Sequence, residues 1–203
     1  MTASAIAPKI VIASHNKGKL REIAALLQPL GIEAVPASDF GLAEPEETET
    51  TFAGNALIKA RFAAEGSGLP ALSDDSGLCV EALGGEPGVY TADWAETPNG
   101  RDWMLAMTRV EDRLAALGPD VSRAAQFVCT LALVWPDGKS ETYEGVMPGS
   151  LTWPPRGALG FGYDPVFVPE GYAQTFAEMD PAEKQAISHR ARAFAKLKAA
   201  LTP

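Results

Sequence analysis

Cysteine and histidine are both scarce in this chain, two of each among 203 residues. Cys79 and Cys129 lie in apolar stretches, with no C-x-x-C spacing and no histidine nearby. That pattern argues against a disulfide framework or a zinc site and predicts two small buried hydrophobes. Long apolar runs are missing too. None approaches the roughly 18–20 residues of a membrane span, and residues 1–8 have neither the basic start nor the apolar stretch of a secretory signal. A cytoplasmic protein is the resulting expectation. Positive charge is in short supply, with 17 Lys and Arg against 26 Asp and Glu and a net charge of −9. Binding to long nucleic acids rests on neutralising many phosphates, so neither DNA nor RNA is an expected partner. The sequence has no repeats, no low-complexity tract and no convincing linker. With 46% apolar residues it can bury a full core, and residues 1–203 read as a single domain.

What charge there is falls in patches. Basic residues gather at Lys17, Lys19 and Arg21 and again at Lys184, His189, Arg190 and Arg192, while acids crowd Glu44–Glu49 and Asp74–Asp75. A magnesium–polyphosphate complex asks for this combination, carboxylates for the metal and cations for the phosphates. Solvated surface charge is the plainer alternative.

Strand and helix alternate along the chain. Lys9–Ala13 reads as a short buried strand and Gly18–Leu27 as a helix ended by Pro29, a strand–turn–helix unit. Glu33–Val35 is a weaker strand and residues 36–50 a polar, proline- and acid-rich loop. Thr50 or Thr51 caps a helix to about Ala64, closed by Gly66 and Gly68. Leu69–Leu72 is predicted as a brief strand running into the turn-forming Ser73-Asp74-Asp75-Ser76-Gly77, with a new strand over Leu78–Leu83. A helical period marks residues 101–117. Gln126–Trp135 is the strongest strand, paired with Ser140–Val146 through the Pro136-Asp137-Gly138 turn. Met147–Gly162 is expected to be a functional loop. Asp180-Pro181-Ala182-Glu183 opens the last helical region, with Asp as cap and Pro at the first helical position.

Three motifs carry chemistry. Phe161-Gly162-Tyr163-Asp164-Pro165 is followed, roughly twenty positions on, by Glu183-Lys184 and Ser188-His189-Arg190. An aromatic pair on a glycine turn suits stacking on a flat base, and a Lys/His/Arg cluster suits an oxygen-rich ligand, so together they suggest a nucleotide pocket. On an unbroken helix Lys184 and His189 would stand about 140° apart, so a shared ligand demands a break. The prediction is a short helix from Pro181, a turn near Ala186–Ser188 and a second helix from about His189 to Ala199. The second motif, Ser14-His15-Asn16-Lys17-Gly18-Lys19, follows a strand and opens a helix, so its backbone N–H groups and the helix dipole face any anion there. Ser14 and Asn16 add neutral donors and Lys19 adds charge. It is neither a Walker sequence nor a dinucleotide fingerprint, and an ordinary strand–helix turn remains the alternative.

The third motif is acidic. Magnesium takes few carboxylates and keeps several waters, so Glu47 and Asp75 would suffice to hold it. Asp74 and Asp75 are adjacent and point to opposite sides of an extended chain, so only one need reach the metal. A carboxylate placed there can also take a proton from water attacking phosphorus. The alternative is a plain turn. Asn55 and Lys59, four apart, share a helix face, for which simple solvation is the alternative.

Taken together, these residues resemble the Ham1 family of inosine triphosphate pyrophosphatases. The resemblance runs through Ala13–Lys19, Glu46-Glu47-Thr48, Thr51-Phe52, Asn55-Ala56, Lys59-Ala60, Leu72–Leu78, Gly88–Ala92, Gly160–Pro165, Glu183-Lys184 and Ser188-His189-Arg190, in order, from about Lys9 to Leu201. It implies magnesium-dependent hydrolysis of ITP, dITP and XTP to the monophosphate and pyrophosphate. The implied fold is α/β, an elongated mixed β-sheet flanked by helices, in two lobes with the nucleotide site in the cleft between them, forming a homodimer. By the same resemblance Ser14, His15, Asn16, Lys17, Gly18 and Lys19 hold the triphosphate, with Asn55 and Lys59 nearby. Glu47 and Asp75 serve Mg2+, Asp75 is the proton acceptor and Ser76 contacts substrate. Phe161, Gly162, Tyr163 and Asp164 form the base-stacking side, and Lys184, His189 and Arg190 read the purine and its 6-oxo group.

Two positions depart from the family pattern. Many relatives have Thr and Gly where this chain has Ser14 and His15; serine keeps the hydroxyl, whereas histidine adds bulk where glycine lets a backbone approach phosphate. Gly54 stands where some members carry an acid. The rival readings are a non-catalytic nucleotide-binding module, against which both Glu47 and Asp75 argue, and a phosphatase or Nudix-like hydrolase, whose glutamate helix is missing.

Overall fold

A computed structural model of the chain describes residues 9–201; residues 1–8, read above for a secretory signal, lie outside them. Strand β1 (Lys9–Ile12) leads through α1 (Lys17–Leu27) and a 3-10 turn to β2 (Glu33–Pro36), and α2 (Phe52–Ser67) leads on to β3 (Ala71–Val80). A two-stranded ribbon, β4 (Glu96–Thr97) and β5 (Gly100–Arg101), precedes α3 (Trp103–Ala116). Strands β6 (Ala124–Val134) and β7 (Ser140–Leu151) follow, then β8 (Phe167–Pro169), α4 (Pro181–Ile187) and α5 (His189–Leu201).

Six strands form one mixed sheet in the order β2-β1-β3-β6-β7-β8. β1 is parallel to β2 and to β3, the arrangement that helical crossovers such as α1 and α2 permit, while β7 and β8 are antiparallel. β6 and β7 form the expected hairpin, closed where the Trp135 N–H donates to the Lys139 carbonyl at 2.9 Å.

Three predicted boundaries were wrong. The strand expected over Leu78–Leu83 stops at Val80, where Glu81–Leu83 form a 3-10 turn. Residues 73–77 do not turn but lie inside the single strand β3, and residues 147–151 continue β7 instead of starting a loop. In the latter two cases the strand gains a neighbour that sequence pattern does not announce. Gly149–Leu151 pair with Phe167–Pro169, and the polar side chains of 73–75 find partners across the fold.

By contact density the chain forms two units. The first comprises Met1–Asp75, Cys129–Gly145 and Arg190–Pro203, the second Ser76–Val128 and Val146–His189. In the first unit strand alternation sorts side chains to two faces. Ile10, Ile12, Leu72, Leu131 and Leu133 meet Ile23 and Leu27 of α1 and Phe194 and Leu197 of α5. Val11, Ala71, Ala132 and Val134 meet Ala56, Ala60, Ala63 and Ala64 of α2, whose small side chains let that helix lie close to the sheet. Each fully buried Leu or Ile in these layers contributes roughly 1.5–3 kcal/mol. In the second unit Leu78, Val80 and Phe127 pack with α3 through Ala106, Val110 and Leu114 and with Phe167 and Phe176. Of the two cysteines expected to be buried, Cys129 is buried, but Cys79 is only half-buried.

Candidate active site

In the first unit, side chains build the turn between β1 and α1. Ser14 Oγ accepts the Asn16 N–H at 3.2 Å. Asn16 then caps α1, its Oδ1 accepting the N–H groups of Gly18 at 2.8 Å and Lys19 at 3.2 Å. Two of the N–H groups that a helix N-terminus leaves without an intrahelical partner, those of Gly18 and Lys19, are therefore satisfied by the Asn16 side chain. Ser14 is buried, while His15 and Lys17 are exposed, and His15 Nδ1 lies 3.8 Å from a Glu44 oxygen.

β3 sends its two aspartates to opposite faces, as its pleat requires. On one face Lys59 of α2 places its Nζ 2.7 Å from Glu47 Oε1 and 3.1 Å from Asp75 Oδ1, so one ammonium bridges two carboxylates. Lys59 is 4% exposed, which rules out the solvated-face alternative for it. Asp75 Oδ2 is buried with no hydrogen-bond partner among the described residues. Burial pushes the Asp75 carboxyl up to about 6; Lys59 and Lys19 oppose that shift without overcoming it, and Glu47 adds to it. For Lys59 burial favours the neutral amine, but Asp75 and then Glu47 outweigh it and hold the ammonium above its ordinary value.

On the other face Asp74 is the hub of a buried charge network. Lys19 Nζ lies 2.9 Å from Oδ1, and Arg190 donates to Oδ2 from Nε at 3.1 Å and Nη2 at 2.8 Å. Arg190 Nη1 pairs with Glu22, and Cys129 Sγ lies 3.6 Å from Asp74 Oδ2. Burial alone would raise the Asp74 carboxyl, yet Arg190, Lys19 and Lys59 together hold it far below the carboxylate range. Burial, reinforced by Asp74, pushes the Cys129 thiol up, so it stays protonated. Glu22 escaped the sequence reading, although it lies one turn beyond Lys19 on α1, a spacing that could have flagged it.

The second unit gathers Phe161, Asp164 and Lys184. Asp164 Oδ2 accepts the Phe161 N–H at 2.8 Å and Lys184 Nζ at 2.6 Å, and that ammonium lies 4.8 Å from the Phe161 ring centroid. Gly160 has φ +75°, and a Cβ there would collide with Asp164, so glycine is required at this turn. Gly162 lies against the Trp103 ring. Tyr163, expected on a stacking surface, is instead 1% exposed, edge-on to Trp103 at 5.7 Å, with its hydroxyl donating to the Thr91 carbonyl at 3.3 Å. It is a core residue that backs the turn. Ser76 is half-buried on β3.

The expected break near the C-terminus is present. α4 ends at Ile187, Ser188 is extended at φ −60° and ψ 158°, and α5 starts at His189. His189 stacks on Phe127 at 4.9 Å, Phe127 lies 5.9 Å from Phe176, and Lys184 Nζ lies 5.6 Å from Phe176. Lys184 and His189 thus flank one row of aromatic rings. Arg190, expected beside them, extends instead to Asp74 and Glu22.

Residues 10–200 match the model of the Ham1 family, and the chain belongs to that family. A dITP/XTP pyrophosphatase of Ruegeria pomeroyi is 63% identical over 196 residues, covering 97% of this chain and 96% of the relative. One of Mesorhizobium japonicum is 58% identical over 199 residues, covering 93% and 90%. Among solved structures, a HAM1 protein from Coxiella burnetii shares the fold with a TM-score of 0.87 at 41% identity, over 96% of this chain and 98% of that one.

Proposed function

We propose that this protein is a nucleoside triphosphate pyrophosphatase that hydrolyses ITP, dITP and XTP to the nucleoside monophosphate and pyrophosphate, removing deaminated purines from the nucleotide pool. The observation that carries this reading is the Lys59 ammonium bridging Glu47 and Asp75, in a chain whose relatives are named dITP/XTP pyrophosphatases. Two carboxylates, one with a buried oxygen that has no partner among the described residues, fit Mg2+, which takes few protein ligands and completes its shell with water and phosphate. No group of three His, Cys, Asp or Glu side chains suited to a metal occurs among the described residues, so a dedicated all-protein cage is not what is proposed. When bound, magnesium would neutralise phosphate charge and acidify a coordinated water.

The residues divide the remaining work. Ser14, Asn16, Gly18 and Lys19, with His15 and Lys17 at the rim, receive the triphosphate, and Lys59 adds a second cation. Asp75, with its carboxyl near 6, is mostly ionised at neutral pH and accepts the proton of the water that attacks phosphorus. Ser76 follows it on the strand and contacts substrate. In the second unit Phe161 and Gly162 offer a face to the base, with Asp164, Lys184 and His189 around it. A 6-oxo group accepts hydrogen bonds whereas the 6-amino group of adenine donates them. Lysine therefore pairs with hypoxanthine and xanthine and is left unpaired by adenine.

No described helix is long and apolar enough to cross a membrane. A cytoplasmic homodimer acting on the free triphosphate pool completes the proposal, and sedimentation equilibrium checks the dimer. Product analysis with ITP tests the activity. Pyrophosphate release is expected, whereas stepwise orthophosphate would indicate a phosphatase, and binding without turnover a nucleotide-binding module.

A further inference from the structure

Asn55 sits one helical turn before Lys59 on α2, and both side chains are buried. Its Oδ1 accepts the N–H of Glu49 at 2.9 Å. Glu49 belongs to a segment, residues 42–49, that has no regular structure and carries four exposed glutamates, Glu44, Glu46, Glu47 and Glu49. Mutual repulsion among these acids pushes such a loop outward. Two attachments to α2 hold it back, the main chain at Asn55 and the Glu47 carboxylate at Lys59, 2.7 Å away. Both attachments lie on the same face of α2. Gly54 makes the first one possible, because a Cβ at that position would fall 2.6 Å from Glu49 Cβ and 2.7 Å from its Cγ.

We propose that Asn55 is a positioning residue: its side-chain carbonyl ties the acidic loop to α2 and thereby sets Glu47 opposite Asp75 to receive a divalent cation. The inference rests on the reading of Glu47 as a metal-holding residue. It gives Asn55 a role exerted through the loop and not by direct contact with nucleotide, and it explains glycine at position 54.

The test uses the nucleotide-free full chain and two readouts. One is manganese(II) binding, followed by the spin-resonance signal of the free aqua ion; the other is cleavage of the loop by a glutamate-specific protease without metal. Asn55→Ala is expected to weaken manganese binding by about 10-fold or more, as loss of a group supporting a metal ligand commonly does, and to speed loop cleavage. Gly54→Ala should do the same although alanine is the better helix former, which separates loop displacement from loss of the helix. Asn55→Asp retains an oxygen acceptor for the Glu49 N–H and should keep the loop protected. Wild-type manganese affinity and wild-type protection in Asn55→Ala would overturn the proposal. If Glu47→Gln binds manganese as tightly as wild type, the metal role of Glu47 fails, while the protease readout still decides whether Asn55 tethers the loop.

Discussion

Arg190 grips Asp74 by two donors on one oxygen, Nε at 3.1 Å and Nη2 at 2.8 Å, with both side chains out of solvent. Such a pair adds little over well-packed apolar side chains, but removing one partner strands the other as a buried charge. Arg190→Met keeps most of the volume and should destabilise the protein by about 3 kcal/mol, the lower end of the usual range because Lys19 stays on Asp74. Urea denaturation measures this, and a cost below about 1 kcal/mol would mean that the pair is worth no more than a surface one. Because the guanidinium is committed to Asp74 and Glu22, the preference for ITP over ATP should survive in this variant while both rates fall. Loss of that preference would return Arg190 to the base, where the family resemblance puts it.

Much of this arrangement was legible locally. The strand–turn–helix of β1 and α1, a threonine cap at position 50 or 51 (Thr51 in the fold) and the break before His189 follow from periodicity, capping chemistry and helical angle. Residues 73–77 were not legible, because serine, aspartate and glycine compose turns as readily as strands. What makes them a strand is remote: Ser73 Oγ donates to the Ala56 carbonyl at 2.5 Å, Asp75 meets Lys59, and Asp74 meets Lys19 and Arg190. No window of neighbouring residues contains those partners. Tyr163 was misplaced for the same reason, since its burial is set by Trp103 and Thr91. Motif membership indicated that Arg190 mattered, but not which way its side chain runs.

Lys184 is the residue on which base selectivity should turn. Its ammonium is held by Asp164 over the Phe161 ring, so Lys184→Met keeps an apolar stem there and removes the donor. The kcat/KM for ITP should fall by roughly 10- to 100-fold, with a much smaller change for ATP, because only the 6-oxo base loses a partner. Parallel kinetics with both nucleotides measure the ratio. An equal fall for both would make Lys184 a structural partner of Asp164 and nothing more.

Asp75→Asn should cut ITP turnover by at least about 100-fold while nucleotide binding is largely kept, since an amide cannot accept the proton. Stability supplies a second, independent reading. A carboxyl raised to about 6 by burial contributes stability that is complete below its unfolded value near 4 and is lost as pH rises through 6. In chelator, therefore, Asp75→Asn should gain on wild type between about pH 4 and pH 7, by roughly 2 kcal/mol, and the difference should then level off. Thermal melts across that range test it. A difference that does not change with pH would mean that Asp75 is ionised throughout.

Lys59 competes with a metal for the same two carboxylates. Its Nζ lies 2.7 Å from Glu47 Oε1 and 3.1 Å from Asp75 Oδ1, and both carboxylates help to keep it charged against burial. Lys59→Met preserves the buried stem and deletes the ammonium, leaving two neighbouring carboxylates with one counter-charge fewer. A divalent cation should then bind more tightly, by roughly tenfold or more, because it relieves a repulsion that the ammonium had relieved before. Turnover should move the opposite way and fall by about 100-fold if, as proposed, the Lys59 ammonium stabilises the triphosphate during reaction. Calorimetric titration with manganese and steady-state kinetics with ITP separate the two effects. Weaker metal binding together with slower turnover would show that Lys59 chiefly holds Glu47 and Asp75 in place.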